Sequence, residues 1–340
     1  MSAQSLEATA RAMVAPGRGI LAADESTGTI EKRFNAIGVE STEENRRAYR
    51  DLLFSAKGMG QYISGVILYD ETIRQKSADG TPFPELLAKQ GAIPGIKVDT
   101  GAKDMALCPG ETITEGLDNL PKRCADYVKL GARFAKWRAV ITIGAGIPSS
   151  ACVTANAHAL ARYAAICQAT GLVPIVEPEV LMDGDNTIER CEEVTEWTLR
   201  ETFAALASQR VAYEKMILKP SMVISGKKCP KQAPVREVAE RTLAVLRRTV
   251  PAAVPGIAFL SGGQSDEVAT AHLDVMNKLG GVPWTLSFSY GRALQHAAQQ
   301  TWKGGAANVA AAQAAFLHRA RMNSLAATGK YSTELEKRAA

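Results

Sequence analysis

The stretch EKMILKPSM occupies residues 214–222 and places a lysine, Lys219, at the end of a short apolar run. The run predicts a buried β-strand, and desolvation disfavours a positive charge at its end. A neutral lysine amine can attack a carbonyl carbon and form a Schiff base, so Lys219 is a candidate nucleophile. The alternative is that Lys219 is the first solvated residue after the core, with its stem against apolar surface.

Seven further apolar runs of strand length occur along the chain, and segments with helical periodicity separate them. They are GILAAD (19–24), GVILYD (65–70), GIKVD (95–99), RFAKWR (133–138), LVPIVEPE (172–179), GIAFLSGG (256–263) and WTLSFS (284–289). Eight alternations of strand and helix predict an α/β fold, the (β/α)8 TIM barrel, with a parallel sheet buried on both faces. An open doubly wound sheet has the same alternation, but no G-x-G-x-x-G turn follows the first strand.

The chain shows no internal boundary. No Gly/Ser-rich or Pro-rich linker divides the 340 residues, which predicts a single barrel domain over residues 1–340. A barrel of this length implies additional helices at the termini and long loops after some strands, for example residues 76–84 and 225–234. We expect residues 1–18 to form an N-terminal helix and residues 325–340 to form a C-terminal tail.

Charged and polar side chains follow the predicted strands. Catalytic groups of a TIM barrel lie at the C-terminal ends of its strands, so these side chains are expected to converge on one mouth. The residues at or near strand ends are Asp24, Lys97, Glu177, Glu179, Lys219, Ser261 and Ser289.

Two carboxylates and two lysines are expected to face the barrel axis. Glu177 and Glu179 are two residues apart on one strand and therefore point the same way; the lysines are Lys136 and Lys219. Opposite charges offset much of the desolvation cost, and like charges separate the pKa values, which gives one site both a neutral amine and a proton shuttle. The alternative is a structural ion-pair network that fills the barrel interior.

Three loops have the composition of phosphate sites. Ser261-Gly262-Gly263 follows the seventh strand and Ser289-Tyr290-Gly291-Arg292 follows the eighth, where barrels commonly bind phosphate through backbone N–H groups and arginine. The segment Ser26–Thr29, with Lys32 and Arg33, follows the first strand and suits a second phosphate. The alternatives are an ordinary turn at the glycine pair and a helix N-cap at Ser26.

Two phosphate sites on either side of a nucleophilic lysine imply a linear substrate with a phosphate at each end and a carbonyl near one of them. A Schiff base in such a site serves carbon–carbon bond cleavage or its reverse, because the iminium takes up electrons where a metal would otherwise be required. We therefore expect no cofactor other than the covalent Schiff base on Lys219.

Composition and charge exclude several other classes of protein. The chain is 46% hydrophobic and 22% charged, without an apolar stretch of membrane-spanning length. Its net charge of +5 is not gathered into a basic tail and suits an anionic small molecule better than nucleic acid. We expect a small-molecule partner, no nucleic acid and no membrane.

Cysteine and histidine usage favours a cytoplasmic protein without a metal site. The six cysteines contain no C-x-x-C pair, and the four histidines show no metal-ligand spacing. The cysteines are therefore expected to be free thiols in a reducing compartment. The first twenty residues lack the uninterrupted apolar core of a secretory signal.

A series of stretches along the chain matches one enzyme family. They run in order from residue 21 to residue 331 and include LAADESTGTIEKRF, GIKVDTG, FAKWR, PIVEPEVL, ILKPSMV, GIAFLSGGQS and FSYGRALQ. In these motifs the sequence closely resembles the class I fructose-1,6-bisphosphate aldolases. The resemblance implies a TIM-barrel lyase that reversibly cleaves fructose 1,6-bisphosphate into dihydroxyacetone phosphate and glyceraldehyde 3-phosphate in glycolysis and gluconeogenesis. It also implies a homo-oligomer, either a homotetramer or a dimer, with the tetramer favoured.

The resemblance implies a role for each charged residue of the mouth. Lys219 would form the Schiff base with the C2 carbonyl, and Glu177 would act as general acid and base. Glu179 would hold charge and proton balance beside it, and Lys136 would help to keep Lys219 deprotonated. Asp24 would take the C4 hydroxyl proton as the C3–C4 bond breaks.

The resemblance also implies two groups of phosphate contacts. The C1 phosphate would be bound by Ser261, Gly262, Ser289, Gly291 and Arg292, with Gly263 beside them. The region near the C6 phosphate would contain Ser26, Thr29, Arg33 and Lys97. Arg138 would be a supporting residue of the site.

The chain departs from the family pattern at a few positions. Thr29 stands where many members have serine, Thr100 replaces a lysine, and Ser221 replaces the asparagine common in animal members. The sequence ends in two alanines rather than in the terminal tyrosine of animal members. We therefore expect protonation or release of the dihydroxyacetone phosphate half to rely on another group.

Two other functions stay open on the sequence alone. One is a Schiff-base barrel for a different sugar phosphate, such as a transaldolase or an aldolase that favours a monophosphate; the groups near the C6 phosphate speak against it. The other is a catalytically silent scaffold, which would have lost at least one of Asp24, Lys136, Glu177 and Lys219, whereas all four are present.

Overall fold

Eight short runs rich in Ile, Val, Leu and Ala form a closed parallel barrel in the computed structural model, which describes residues 5–339 of the chain. The barrel order β1-β10-β9-β8-β7-β6-β3-β2 confirms the predicted TIM barrel, while β4 and β5 form a separate antiparallel hairpin. The strands are β1 (Gly19–Ala23), β2 (Ile63–Leu68), β3 (Ile93–Lys97), β4 (Gly101–Asp104), β5 (Thr112–Glu115), β6 (Phe134–Ile141), β7 (Val173–Val180), β8 (Ile217–Leu218), β9 (Gly256–Phe259) and β10 (Thr285–Tyr290).

Helices surround the barrel, and most begin at a capping side chain or a proline. The hydroxyl groups of Ser149, Thr187 and Ser265, for example, each accept a hydrogen bond from the backbone of the first helical turn. The helices are α1 (Leu6–Met13), α2 (Thr27–Asn35), α3 (Glu43–Phe54), α4 (Asp70–Arg74), α5 (Phe83–Lys89), α6 (Leu120–Lys129), α7 (Ser150–Ala169), α8 (Ile188–Ser208), α9 (Val235–Thr249), α10 (Asp266–Leu279), α11 (Arg292–Trp302) and α12 (Val309–Ala326).

The N-terminal end of the barrel is filled by apolar side chains. Ala10 and Met13 of α1 belong to one buried cluster with strand residues such as Phe134 and Ile217. Glycine is required in the strands around them, because a Cβ at Gly95 would lie 2.2 Å from the ring of Phe134. Chemistry therefore belongs to the opposite, C-terminal end of the strands.

Two long segments of the chain pack on the outside of the barrel. The β4–β5 hairpin, which the sequence pattern did not predict, follows β3 and is tied to β6 by a hydrogen bond of 2.7 Å from the Thr114 hydroxyl to the Arg138 carbonyl. After α12, Tyr331 is buried and its hydroxyl donates to Glu336, which also pairs with Arg319 at 2.6 Å.

Two sequence expectations touch residues beyond those described. Residues 1–4 and residue 340 lie outside the described part of the chain, and with them part of the predicted N-terminal helix and the terminal position compared with tyrosine. Among residues 5–339, no helix has both the length and the apolar character needed to cross a membrane.

Candidate active site

A cavity of about 410 Å³ opens at the C-terminal ends of the barrel strands. Its wall contains most residues that the sequence placed in the site: Asp24, Ser26, Thr29, Arg33, Lys97, Lys136, Arg138, Glu177, Glu179, Lys219, Ser261, Gly262, Gly263, Ser289, Gly291 and Arg292. Lys32, which the sequence grouped with the Ser26–Thr29 segment, is exposed on α2 outside this wall. The topology explains this convergence, because parallel strands of a barrel all end at one rim.

One carboxylate lies at the centre of this cavity. The two oxygens of Glu177 face different lysines: Oε1 is 3.3 Å from Nζ of Lys219, and Oε2 is 3.5 Å from Nζ of Lys136. The three side chains are each at most 5% exposed. A buried carboxylate between two amines can accept a proton from one of them and pass it to a substrate atom.

Asp24 and Lys136 form a second buried pair, with Oδ2 and Nζ separated by 2.6 Å. Burial alone would raise the pKa of Asp24, but the charges of Lys136 and Lys219 outweigh it and hold that pKa below its ordinary value. Burial likewise opposes the charge of Lys136, while Asp24 and Glu177 together raise its pKa above the ordinary value. Asp24 is therefore a carboxylate, and Lys136 is an ammonium group, near neutral pH.

Glu179 lies on the same face of β7 as Glu177 but has a different partner. Its carboxylate pairs with the guanidinium of Arg138 rather than with a lysine. Burial opposes the charge of Arg138, and the Glu179 carboxylate outweighs burial and raises the arginine pKa. Lys97 also has its own partner, since its Nζ lies 3.3 Å from Asp99. The charged side chains of the cavity thus form separate groups, and each group contains both positive and negative side chains.

Backbone hydrogen bonds hold Lys219 in place although β8 is only two residues long. The Lys219 amide donates to the Val176 carbonyl at 2.8 Å, and the Leu260 amide donates to the Pro220 carbonyl at 3.1 Å. The hydroxyl of Ser221 accepts a hydrogen bond of 2.9 Å from the Val180 amide at the end of β7. Ser221 therefore joins the lysine segment to the strand that carries the two glutamates.

One side of the cavity offers buried hydrogen-bond donors that have no partner among the described residues. Among the described residues, the Ser289 hydroxyl and the Nη2 of Arg292 are buried without a hydrogen-bond partner. Gly291 is the N-cap of α11 and Arg292 is its first residue, so the amino end of a helix faces the same place. Buried unpaired donors beside a helix N-terminus fit a bound anion such as phosphate.

The segment after β1 forms the part of the cavity wall next to the Gly291–Arg292 turn, because β1 neighbours β10 in the barrel and a Cβ at Gly291 would lie 3.9 Å from Nη2 of Arg33. The hydroxyls of Ser26 and Thr29 are 3.1 Å apart, and the Ser26 side chain does not cap α2. Arg33 is anchored by the buried carboxylate of Glu25, which also binds Arg50 at 2.6 Å. Burial would raise the pKa of Glu25, but the two arginines outweigh it and lower that pKa. Arg33 is therefore held in one orientation at the rim.

Several cavity residues were missed by the sequence interpretation. Glu25 follows Asp24 directly, so its acidic side chain was a signal that could have been used. Met182, Asp183 and Lys227 lie on the loops after β7 and β8. No local pattern places these loops together, because they meet only through the barrel topology.

No metal-binding cluster was found in the described part of the chain. Within residues 5–339, no group of three or more His, Cys, Asp or Glu side chains is placed to hold a metal ion. The charged groups of the cavity are instead lysines and arginines that form ion pairs with carboxylates.

Comparisons with known proteins agree on one family. The sequence profile described as fructose-bisphosphate aldolase class-I matches residues 5–340. The chain is 62% identical to the "probable fructose-bisphosphate aldolase class 1" of Xanthomonas campestris pv. campestris, over 97% of this chain and 99% of that protein. It is 56% identical to "fructose-bisphosphate aldolase 5, cytosolic" of Arabidopsis thaliana, over 97% and 92% of the two chains.

A solved structure gives the same result for the fold. The structure of fructose-bisphosphate aldolase from Plasmodium falciparum, in complex with TRAP and a small-molecule inhibitor, superposes with a TM-score of 0.95. The two sequences are 51% identical, and the match covers 96% of this chain and 95% of that one.

Proposed function

The chain belongs to the class I fructose-bisphosphate aldolase family, and from that premise we propose that Lys219 forms the Schiff base with the substrate. The family consists of metal-independent lyases, and the reaction is the reversible cleavage of fructose 1,6-bisphosphate into dihydroxyacetone phosphate and glyceraldehyde 3-phosphate. The observation that supports Lys219 is its buried position 3.3 Å from the Glu177 carboxylate at the mouth of the barrel.

The first steps form the iminium ion. The Lys219 amine attacks the C2 carbonyl, and the carbonyl oxygen receives the proton that the amine loses, with Glu177 as the carrier. Glu177, which holds the proton that Lys219 gave up on becoming the free amine, then protonates the hydroxyl of the carbinolamine, which leaves as water. Glu177 suits both steps because its Oε1 faces Lys219 and its Oε2 faces Lys136, a second cation.

Asp24 is the proposed base for bond cleavage. As a carboxylate beside Lys136, it can accept the proton of the C4 hydroxyl. The C4 oxygen then forms the aldehyde, the C3–C4 bond breaks, and its electron pair moves into the iminium to give an enamine. Protonation of the enamine at C3 and hydrolysis by water release dihydroxyacetone phosphate and regenerate Lys219.

The remaining residues bind and orient the substrate in this proposal. Ser261, Gly262, Gly263, Ser289, Gly291 and Arg292 bind the phosphate at C1, supported by the unpaired donors of Ser289 and Arg292. Ser26, Thr29, Arg33 and Lys97 bind near the phosphate at C6. Glu179 and Arg138 neutralise each other and hold the charge balance beside Glu177.

Borohydride trapping tests the assignment of Lys219. The protein is incubated with dihydroxyacetone phosphate and a chelator, reduced with borohydride and analysed by peptide mass spectrometry. We expect a reduced adduct on Lys219 in the wild type and in the control variant Lys215→Ala, whose exposed lysine lies on the same segment, and none in Lys219→Ala. An adduct on another lysine would overturn the assignment.

Three broader features belong to the same proposal. We infer a single barrel domain, a cytoplasmic location and a homo-oligomeric state, with a tetramer favoured. The location is supported by the names of two plant relatives, the cytosolic protein of Arabidopsis thaliana and the "fructose-bisphosphate aldolase, cytoplasmic isozyme" of Spinacia oleracea, which is 54% identical to this chain. The family resemblance is the ground for the oligomer, and sedimentation equilibrium of the purified protein tests it.

A further inference from the structure

We propose that Lys227, on the loop after β8, is a further phosphate ligand: its ammonium exchanges Asp183 for the substrate phosphate held beside Gly262 and Gly263. The inference rests on the proposed function, since it adds a ligand to the subsite assigned to Ser261 and Arg292. Asp183 is then the group that holds Lys227 at the rim of the cavity before substrate binds.

The position of the Lys227 side chain is the first argument. Lys227 belongs to the cavity wall together with Ser261, Gly262 and Gly263. A Cβ atom at Gly263 would lie 1.8 Å from Cε and 2.1 Å from Nζ of Lys227. The end of the Lys227 side chain therefore lies directly against the second glycine of the loop, in space that the Cβ of another residue would occupy.

The backbone around Lys227 is fixed by the neighbouring loop. The Lys227 amide donates to the Met182 carbonyl at 2.7 Å, and the Lys228 amide donates to the Gly184 carbonyl at 2.9 Å. The Met182 sulfur in turn accepts a hydrogen bond of 3.3 Å from the Gly263 amide. The loops after β7, β8 and β9 thus form one layer that sets the Lys227 side chain over the glycine pair.

The Asp183 contact has the character of an exchangeable one. Nζ of Lys227 is 2.6 Å from the Asp183 carboxylate, but the two side chains are 43% and 63% exposed. Exposed ion pairs contribute little to stability, so separating this one costs little. A phosphate ester carries up to two negative charges and offers several acceptor oxygens, so it competes well with a single carboxylate for the same ammonium.

Binding of sn-glycerol 3-phosphate tests the inference, because this probe carries a phosphate but no carbonyl and needs no Schiff base. Its dissociation constant is measured by calorimetry at low and at high ionic strength for the wild type, Lys227→Met and Lys227→Arg. The matched control is Lys228→Met, which removes the same charge from the adjacent exposed residue.

We expect Lys227→Met to weaken binding about threefold to tenfold at low ionic strength, with a smaller effect at high ionic strength. Lys227→Arg should retain most of the affinity, and Lys228→Met should behave as the wild type. Asp183→Asn should tighten binding, because it removes the competing carboxylate. Equal affinities for Lys227→Met and Lys228→Met would overturn the inference, as would weaker binding in Asp183→Asn.

The outcome is independent of the Schiff-base assignment. Failure of borohydride trapping on Lys219 would remove the proposed chemistry but leave the binding result of Lys227→Met as measured. Conversely, an unchanged affinity in Lys227→Met would remove the ligand role of Lys227 while adduct formation on Lys219 stood.

Discussion

The ammonium of Lys136 lies 2.6 Å from the carboxylate of Asp24, and both side chains are at least nine-tenths buried. Each charge is maintained against burial by the other and by further charges of the cavity. Removing one partner therefore alters both the chemistry and the stability of the site, whereas removing both leaves no isolated buried charge.

Lys136→Met should lower kcat for cleavage by about a hundredfold or more, because the substrate loses a fixed positive charge in a water-poor cavity. It should also lower the free energy of unfolding by about 3 kcal/mol, since the Asp24 carboxylate loses its closest cation. Steady-state kinetics and urea unfolding measure the two effects. Lys129→Met, an exposed lysine of α6, is the control.

The double variant Asp24→Asn, Lys136→Met separates the two effects of that pair. It should recover part of the lost stability but none of the lost activity. Lower stability in the double variant than in Lys136→Met would contradict the view that the uncompensated charge is the cause.

Arg33→Met should raise KM for a substrate with two phosphates more than KM for a substrate with one. If Arg33 binds the phosphate at C6, we expect KM for fructose 1,6-bisphosphate to rise about tenfold, the size of one lost charge-assisted hydrogen bond. KM for fructose 1-phosphate should be unchanged. Lys32→Met, an exposed lysine on the same helix, is the control, and an equal rise for both substrates would sink the assignment.

Ser221→Ala should destabilise the protein by about 1–3 kcal/mol, because the buried Val180 amide loses its acceptor. The control Ser208→Ala removes an exposed hydroxyl that bonds only within its own helix. Urea unfolding compares the two variants. Equal stabilities would show that the Val180 amide finds another partner.

His272 should make stability depend on pH. Burial lowers the pKa of His272 to about 4, and its Nδ1 lies 2.6 Å from Gln264 in the loop after β9. The unfolded chain binds a proton at this histidine near pH 6.5, whereas the folded protein binds it only near pH 4. The free energy of unfolding therefore has its full value above pH 6.5 and decreases as the pH falls toward 4. The limit of that loss is about 3 kcal/mol.

His272→Gln tests that dependence through unfolding free energies at pH 7 and pH 5. The variant should show a smaller difference between the two pH values than the wild type. His158→Gln, which replaces an exposed histidine, should keep the wild-type difference. Identical pH dependence in all three proteins would rule out His272 as a source.

The sequence predicted those site residues whose signal is local. Glu177 and Lys219 follow apolar runs, and the C-terminal ends of all strands in a barrel lie at one common rim. Arg292 was predicted for a related reason, since a turn that contains Ser289 and Gly291 places an arginine at the start of α11, directly after the last strand. Strand position and residue type were sufficient for these.

The contacts between loops could not be predicted in the same way. Lys227 and Asp183 are far apart in the chain and meet only because β7 and β8 are neighbours. The β4–β5 hairpin was missed because its residues are mostly polar and exposed and show no apolar alternation. Ser221 was noticed as a departure from the family pattern, but its bond to Val180 depends on the register between strands.

The filled N-terminal end of the barrel has a consequence for the order of product release. With Phe134 and the α1 side chains occupying that end in the described chain, substrate and both products share the rim as their route to solvent. If Lys219 forms the Schiff base as we propose, one fragment stays covalently attached there after cleavage, while the aldehyde is free. On that proposal the aldehyde departs first, and the reverse reaction requires the attached fragment to arrive before its partner.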